Sequence, residues 1–387
     1  MQYRVLGRSG ARVSALGFGC MRLPTRETHE VIDEPEATRM LEYALEHGVN
    51  YFDTAYGYHG GNSERFLGRF LQGRRDRVLL ATKLWLPAAQ TYEDFDRLFN
   101  EQLARLQTDH LDCYLLHGLR RERWLAAYNL GVLDFLNQKR REGRIRFAGF
   151  SFHDTFEAFR EIVDAFDWDM CQIQYNYMNE EYQAGTRGLQ YAAAKGMGVV
   201  VMEPLLGGRL VTPPPPVQEV WDTAPVRRTP ADWALHWLWN QPEVSVVLSG
   251  MSTLQQVIEN VASAERSGVG TLTPEEMETI HRARDRYRSL CPIPCTACRY
   301  CMPCPNGVDI PENFSTFNNA IMFNQIEQTR RQYARFFAQE KRASACIQCR
   351  TCEPKCPQNI PISEWMVIVR GVLEEGQPYD PQACPRP

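Results

Sequence analysis

Short apolar runs alternate with longer amphipathic stretches over most of this chain. Eight runs between residues about 15 and 265 have the length and composition of buried strands: Leu16–Gly19, Tyr51–Asp53, Val78–Lys83, Leu111–Leu116, Ile145–Ser151, Met170–Gln174, Gly198–Met202 and Ser245–Leu248. Between them, apolar residues recur at helical spacing, as in Glu36–His47, Tyr92–Leu106 and Phe156–Phe166. Nearly continuous apolar strands that alternate with helices are typical of a parallel sheet covered on both faces.

Eight strand–helix units in about 250 residues fit a closed (β/α)8 TIM barrel, so we expect an α/β fold of that kind. An open doubly wound sheet is the alternative, and it usually has fewer strands. A dinucleotide-binding sheet of that type would carry G-x-G-x-x-G after its first strand, but Arg22 stands where the third glycine should be. The barrel is therefore favoured.

Turn signals around the strands indicate the two ends of this barrel. Tyr3–Leu6 and Val13–Leu16 flank Gly7-Arg-Ser-Gly10, a pattern that predicts a β-hairpin closing the bottom. Two strand-to-helix loops are long, Pro24–Pro35 after the first strand and the segment containing Pro213–Pro216 after the seventh. In a barrel such loops form the face that carries the active site.

The composition is that of an ordinary globular protein, with 44% hydrophobic and 23% charged residues, which excludes a wholly disordered chain. The formal net charge of −4 lacks the strong positive balance of a nucleic-acid binder. The N-terminus has no secretory pattern, and no apolar run approaches the 18 residues or so of a membrane span. We therefore expect a cytoplasmic protein with neither nucleic-acid nor membrane association.

The 13 cysteines are distributed very unevenly, because only Cys20, Cys113 and Cys171 precede residue 290. Dense cysteines in a cytosolic protein bind metal or carry out redox chemistry more often than they form disulfides. The sequence thus divides into a barrel over 1–270, a connecting helix over 271–290, and a cysteine-rich region over 291–387.

The cysteine-rich region contains an internal repeat. Cys346-x-x-Cys349-x-x-Cys352-x-x-x-Cys356-Pro matches the bacterial ferredoxin run for a [4Fe–4S] cluster, in which the fourth cysteine ligates the other cluster. The first block has the related run Cys295, Cys298, Cys301 and Cys304. We therefore predict an α-helical, ferredoxin-like domain with two [4Fe–4S] clusters, one at minimum.

The repeat also predicts which cysteines share a cluster. One cluster would take Cys295, Cys298, Cys301 and Cys356. The other would take Cys346, Cys349, Cys352 and Cys304. Two residues rather than three separate Cys301 from Cys304, which leaves the reach of Cys304 open, with Cys291 and Cys384 as substitutes or free thiols. Zinc sites and disulfides are the alternatives, but three consecutive C-x-x-C steps and a Cys-Pro fit them poorly.

Polar residues end three successive strands of the predicted barrel. Asp53, Lys83 and His117 would point into its mouth, and Lys83 would pair with Asp53. Nearby, the Tyr58 phenol has an ordinary pKa near 10, which a neighbouring ammonium would bring closer to neutral. His117 could polarise a carbonyl oxygen by a hydrogen bond. The set suits carbonyl reduction by proton transfer from Tyr58.

Residues 1 to about 265 resemble the aldo/keto reductase superfamily through DTAYGY, ATKLW and YLLHG, in that order on successive strands. The resemblance implies a catalytic tetrad of Asp53, Tyr58, Lys83 and His117. Tyr58 matches rather than Tyr56 because the family's tyrosine follows its aspartate by five residues. Trp85 resembles a substrate-pocket aromatic. Together with the ferredoxin-like segment, the chain resembles the iron–sulfur branch of this superfamily.

The same resemblance implies a nicotinamide cofactor, NADP or NAD, across the barrel top. The positions that match its contacts are Gly19, Met21, Ser151, Gln172, Met202, Pro204, Leu205, Gly208, Gly250, Ser252, Gln256 and Asn260. Phe152 replaces an asparagine common in the family, and Gln256 stands where many members place an arginine on the 2′-phosphate, so a preference for NADP is not assured. A flavin, or electrons from the clusters, remains open as the reductant.

Two functions are compatible with these features. The first is an oxidoreductase that reduces a small carbonyl compound, or oxidises an alcohol, while its clusters exchange electrons with a ferredoxin-like partner. The alternative is a redox-sensing or regulatory nicotinamide-binding protein whose clusters are structural or sensory. Fold-level analogy does not decide whether the clusters are redox-active or structural.

Overall fold

The computed structural model describes residues 1–385, in which eight parallel strands close into a barrel preceded by a hairpin. The hairpin strands are β1 Tyr3–Val5 and β2 Arg12–Ser14. The barrel strands are β3 Leu16–Gly19, β4 Tyr51–Asp53, β5 Leu79–Leu84, β6 Leu111–Leu119, β7 Ile145–Phe152, β8 Met170–Gln174, β9 Gly198–Met202 and β10 Val244–Ser249. They pair in chain order, and β10 closes the ring against β3. The predicted (β/α)8 barrel is confirmed, and the open sheet was the wrong alternative.

Fourteen α-helices occur in the described part of the chain. Those from the first barrel strand to the last are α1 Glu34–Glu46, α2 Asn62–Phe70, α3 Tyr92–Leu106, α4 Arg121–Asn129, α5 Val132–Arg141, α6 Phe156–Asp164, α7 Gly185–Ala194, α8 Pro215–Asp222 and α9 Pro230–Trp239. After the last barrel strand follow α10 Leu254–Glu265, α11 Pro274–Ser289, α12 Ile310–Met322, α13 Ile326–Phe336 and α14 Ile362–Leu373. None of the helices among residues 1–385 combines the length and apolar character that crossing a membrane requires.

Helix α3 shows why the predicted helices form where they do. Thr91 and Asp94 make a capping box at its start, which satisfies two of the free backbone amides there. Phe95, Leu98 and Phe99 are buried at helical spacing and pack the helix against the barrel. The observed bounds are those predicted from the sequence.

The hairpin belongs to the core at the bottom of the barrel. Leu6 and Val13 are fully buried in one apolar cluster with barrel residues that include Tyr51 and Val200. Gly198 allows this close approach, because a Cβ there would lie only 2.4 Å from the Leu6 side chain. The predicted antiparallel hairpin is therefore present, paired from Tyr3 with Ser14 onward.

The chain separates into two compact units whose boundaries differ from the predicted ones. The first contains Met1–Gly207 and Ala231–Met277, and the second contains Gly208–Pro230 together with the residues from Glu278 onward. The segment predicted as a long proline-bearing loop thus forms helix α8 within the second unit. Its prolines occupy the start of the helix, where a missing amide is tolerated, and it buries Val217 and Trp221.

The second unit has an apolar core of its own between α12, α13 and α14. Phe314, Phe317, Trp365 and Val369 are buried in it. Six of the predicted cluster cysteines pack against this core as partly buried residues: Cys295, Cys301, Cys304, Cys346, Cys352 and Cys356. The cysteine segments are therefore held by a helical scaffold, as the ferredoxin-like assignment requires.

Candidate active site and cysteine cavities

The four residues of the expected tetrad meet at the carboxyl end of the barrel strands. Asp53 is the last residue of β4, Lys83 lies at the end of β5, and Tyr58 follows β4 in a short turn. His117 lies in β6 where its pairing with β7 shifts register, and such irregularities re-aim side chains next to active sites. The rings of Tyr58 and His117 are 6.1 Å apart between centroids.

Lys83 and Asp53 form the predicted ion pair, and each side chain is only 1% exposed. The Lys83 ammonium lies 2.7 Å from both carboxylate oxygens and donates to the Thr54 carbonyl at 2.8 Å. Burial opposes the charged form, but Asp53 and Tyr58 outweigh it and hold the pKa of Lys83 above its ordinary value. Lys83 is therefore a fixed positive charge in the site.

The acidity of Tyr58 differs from the sequence-based expectation. Lys83 reaches its hydroxyl at 3.4 Å, as expected, and favours the phenolate. Burial is the larger effect, however, and it raises the pKa of Tyr58 above its ordinary value. The expectation of a pKa closer to neutral was wrong, because the sequence does not show how completely the phenol is removed from water. Tyr58 is a protonated phenol at neutral pH.

His117 is a neutral imidazole in this site. Burial, followed by the positive charges of Lys83 and Arg123 and by His153, lowers its pKa to about 3. Its buried Nδ1 has no hydrogen-bond partner among the described residues. The ring of Trp85 lies edge-on to His117 with centroids 5.4 Å apart, which places this predicted pocket aromatic beside the tetrad.

A buried hydrogen-bond network behind the tetrad was missed from the sequence. Gln102 donates to Glu64 at 2.6 Å and to the Lys83 carbonyl at 3.1 Å. Thr82 also donates to Glu64, and Tyr114 donates to the Gln102 side-chain oxygen. The network fixes the strand segment that carries Lys83. The available signal was Gln102 itself, a polar residue on the apolar face of α3.

The expected nicotinamide contacts at β7, β8 and β9 lie together. The Gly118 amide donates to the Ser151 hydroxyl at 2.7 Å, and Ser151 is paired across the strands with Gln172. The Gln172 amide nitrogen donates to the sulfur of Met202 at 3.6 Å, whereas its Oε1 is buried without a donor in the described chain. A buried, unsatisfied amide oxygen fits a carboxamide N–H of nicotinamide.

A second group of expected contacts lies beyond β10. The Ser252 amide donates to the Gln256 side-chain oxygen at 2.8 Å, and Asn260 donates to the Ser249 hydroxyl at 3.1 Å. Ser252 precedes α10, and Gln256 and Asn260 lie within it. The Gln256 and Asn260 side chains therefore both have hydrogen-bond partners within the protein in this structure.

Arg22 is a charged residue of this region that the list of expected contacts omitted. Its carbonyl accepts from the Ser252 hydroxyl at 2.9 Å, and a Cβ on Gly250 would lie 3.2 Å from its side chain. One of its guanidinium nitrogens would lie 3.6 Å from a Cβ on Gly207. The only sequence signal was its position after the first strand, where it argued against an open dinucleotide-binding sheet.

The remaining expected contacts flank two barrel strands. Gly19 ends β3 and is buried, and Met21 is exposed in the turn that follows. Pro204 is buried and Leu205 is partly buried after β9. Gly208 begins the segment that belongs to the second unit.

The eight predicted cluster cysteines line two cavities in the second unit. Cys295, Cys298, Cys301 and Cys356 line one cavity, and Cys304, Cys346, Cys349 and Cys352 line the other. These are the two sets that the exchange of fourth ligands predicts. The short spacing before Cys304 does not keep it from its cavity, and neither Cys291 nor Cys384 lines either one.

The two cavities are built by loops of the same backbone form. Ala297 and Arg299 in the first loop, and Gln348 and Arg350 in the second, have positive φ between 54° and 64°. Four thiols spread around a space suit a polynuclear cluster, which needs room between its ligands. Within residues 1–385 no three histidine, cysteine or acidic side chains converge on a point that could hold a single metal ion.

Comparison with known proteins gives two matches to family models. The aldo/keto reductase family matches residues 15–285, and a 4Fe-4S dicluster domain matches residues 294–360. The first covers the barrel with the tetrad, and the second contains all eight cysteines that line the two cavities.

Individual relatives match between about half and three quarters of this chain. L-galactose dehydrogenase of Arabidopsis thaliana is 29% identical over 311 residues, which cover 72% of this chain and 94% of that protein. An uncharacterized oxidoreductase of Bacillus subtilis, YrpG, is 31% identical over 232 residues, or 54% of this chain and 68% of that protein. The holo form of aldo-keto reductase AKR11C1 from Bacillus halodurans is similar in structure, with a TM-score of 0.62, 29% identity, and coverage of 73% and 96% of the two chains.

Proposed function

This chain belongs to the aldo/keto reductase family and carries a C-terminal 4Fe-4S dicluster domain, and from that premise we propose that it is a nicotinamide-dependent oxidoreductase acting on a small carbonyl compound or its alcohol. The observation that carries the proposal is the buried ion pair of Lys83 and Asp53 with the Tyr58 hydroxyl 3.4 Å from the ammonium, beside the neutral His117. These groups supply an acid, a stabiliser for its conjugate base, and a hydrogen-bond donor.

The proton chemistry follows from these positions. The Tyr58 hydroxyl donates its proton to the substrate oxygen as that oxygen gains charge, and Lys83 stabilises the phenolate that remains. Asp53 keeps the ammonium charged and fixed. A neutral His117 donates one ring N–H to the substrate oxygen and polarises the carbonyl. In the reverse direction the phenolate accepts the proton of the alcohol.

The residues around the expected cofactor position fit a nicotinamide. A bound nicotinamide would supply the hydride for reduction or accept it in the oxidation. The buried Oε1 of Gln172 would accept from its carboxamide, and Ser151 and Met202 lie next to that point. Ser252, Gln256 and Asn260 would hold the adenosine half. Arg22 offers a positive charge for a phosphate of NADP or NAD, so we propose no preference between the two.

In the second unit we propose two [4Fe–4S] clusters, each held by three cysteines of one block and the fourth of the other. Their chemistry is the transfer of single electrons. Cys298 and Cys349 are exposed, so each cluster would have one ligand at the surface where a ferredoxin-like partner can approach. The four thiols around each cavity support this assignment.

A Tyr58→Phe substitution tests the catalytic assignment. It removes the hydroxyl proton that would be donated to the substrate oxygen and keeps the packing of the ring. We therefore expect turnover to fall by about 10² to 10⁴. Activity is followed by nicotinamide absorbance with a panel of aldehydes and ketones. Tyr56→Phe is the matched control, because that hydroxyl donates to Glu101 at 3.0 Å instead. Unchanged turnover in Tyr58→Phe would rule out the proposed acid.

The exposure of Cys298 and Cys349 also favours a second candidate, a redox-sensing regulator, because oxidants reach the same ligands. Such a protein would bind nicotinamide without steady turnover and lose a partner when its clusters are oxidised. Turnover of carbonyl compounds by the anaerobically purified protein, lost in Tyr58→Phe, distinguishes the reductase from the regulator.

A further inference from the structure

The guanidinium of Arg123 lies against the strand end that carries His117. Its Nη1 donates to the His117 carbonyl at 3.3 Å and to the Gly118 carbonyl at 2.7 Å. Gly118 has a φ of 59°, and a Cβ there would lie 3.0 Å from this nitrogen, so glycine permits the close approach. The Nε and Nη2 donors of Arg123 have no protein acceptor in the described residues. This edge of the guanidinium can therefore donate two hydrogen bonds to a ligand.

The charges that face this strand end are basic. Besides burial, Lys83, Arg123 and His153 lower the pKa of His117. Burial together with Arg120 and Arg123 likewise lowers the pKa of His153. Two acids of the neighbouring segments have partners of their own. Asp53 holds Lys83, and the two oxygens of Asp154 accept the backbone amides of Arg121 and Thr155 at 2.8 Å.

The other side of His117 is aromatic. Trp85 and Tyr58 lie edge-on to its ring, with centroids at 5.4 and 6.1 Å. A substrate with its carbonyl oxygen at Tyr58 and His117 would therefore meet an apolar wall on one side. The guanidinium of Arg123 lies at the backbone of His117 and Gly118, and its charge acts on the His117 ring.

We propose that Arg123 binds an anionic group of the substrate, so that this site acts on carbonyl compounds that carry a carboxylate or a phosphate. This inference rests on the proposed reductase function. An arginine fork matches the two oxygens of either group, and a positively charged mouth raises the local concentration of anions. Because Arg123 is hydrogen-bonded to the His117 backbone, the bound anion would fix the carbonyl relative to the imidazole.

Matched aldehydes of one size test the inference. These are 4-formylbenzoate, 4-formylphenyl phosphate and the neutral methyl 4-formylbenzoate. We expect the wild-type protein to prefer at least one anionic aldehyde over the ester in kcat/KM by about tenfold or more. The preference should shrink as salt rises, because the charges at the mouth are partly exposed. The better of the two anions identifies the group that the site accepts.

Substitutions on helix α4 assign the effect to one side chain. Arg123→Gln should remove the preference mainly through a higher KM for the anionic aldehyde, and Arg123→Lys should restore part of it. Arg121→Gln is the matched control, because Arg121 donates through Nε to Glu161 at 2.9 Å and both side chains are exposed. It should leave all three rates unchanged.

The outcomes separate this inference from the function on which it rests. The inference would be overturned if the wild-type protein showed no preference for the anionic aldehydes. It would also be overturned if Arg123→Gln slowed the reduction of the ester and of the anions equally, because an equal loss would indicate that Arg123 only supports the His117 backbone. In both cases a Tyr58-dependent reduction of the ester would leave the reductase assignment standing. Failure to reduce any of the three aldehydes would count against both.

Discussion

The barrel mouth and the cysteine cavities organise their reactive groups in opposite ways. At the mouth, charged side chains are buried and held by direct bonds within the protein, as with Lys83 between Asp53 and the Thr54 carbonyl. Around the cavities the thiols are exposed or partly buried and surround a space. The first site is held together by bonds between protein groups, whereas in the second each set of four thiols lines one cavity. Their responses to substitution should differ accordingly.

The largest effect should come from breaking the buried ion pair. Lys83→Met would leave the Asp53 carboxylate buried without a counterion, so we expect the free energy of unfolding to fall by about 3–5 kcal/mol. Turnover should be lost as well, because the phenolate of Tyr58 would lack its stabilising cation. Denaturant unfolding followed by fluorescence measures the first effect, and aldehyde reduction measures the second.

Two further variants sharpen that result. Asp53→Asn combined with Lys83→Met removes both charges and should recover much of the stability without recovering activity. Arg69→Gln breaks a surface pair, with Glu34 at 2.6 Å and both side chains about half exposed, and should cost less than about 1 kcal/mol. An equal loss in Arg69→Gln and Lys83→Met would contradict the view that the mouth is organised by its buried charges.

A smaller and more local effect should follow Cys356→Ser in the second unit. Cys356 belongs to the second block of the sequence but lines the cavity of the first. Its loss should therefore lower the iron content from about eight to about four atoms per chain and remove one of two cluster signals in electron paramagnetic resonance. The kcat of aldehyde reduction at the barrel should be unchanged.

Cys384→Ser is the control for this variant, because Cys384 lines neither cavity, and it should retain all of the iron. If Cys304→Ser and Cys356→Ser removed the same cluster signal, the exchange of ligands between the blocks would be wrong. Loss of all iron in either variant would show that the two cavities assemble only together.

The comparison also shows which properties sequence patterns reveal. Strand periodicity located β8 and β9 at their observed bounds, and the order of Asp53, Lys83 and His117 on successive strands brought them to one mouth, because parallel strands end at the same edge. Cysteine spacing predicted the two sets of four cysteines that line the cavities, since this local motif fixes the backbone path.

Properties that depend on packing between distant segments were not predictable in this way. The segment with Pro213–Pro216 was expected to be a barrel loop, but its apolar residues Val217 and Trp221 support a helix of the second unit. The contact of Gln102 with Glu64 joins two helices across a strand. The pKa of Tyr58 depends on the depth of its burial, which no local pattern encodes.

The smallest expected effect needs no substitution and follows from that pKa. Carbonyl reduction uses the protonated phenol, which persists until the pH rises past the raised pKa of Tyr58, so its rate should be nearly constant from neutral into alkaline pH. Alcohol oxidation uses the phenolate, so below that pKa its rate should rise with pH by up to about tenfold per unit. The titration of His117 should not change either rate near neutral pH, because burial lowers its pKa to about 3. Rates in both directions between pH 6 and about 10 measure the asymmetry. If reduction instead fell with an apparent pKa near 7, Lys83 would dominate over burial, and the acid would be the phenol of lowered pKa expected from the sequence.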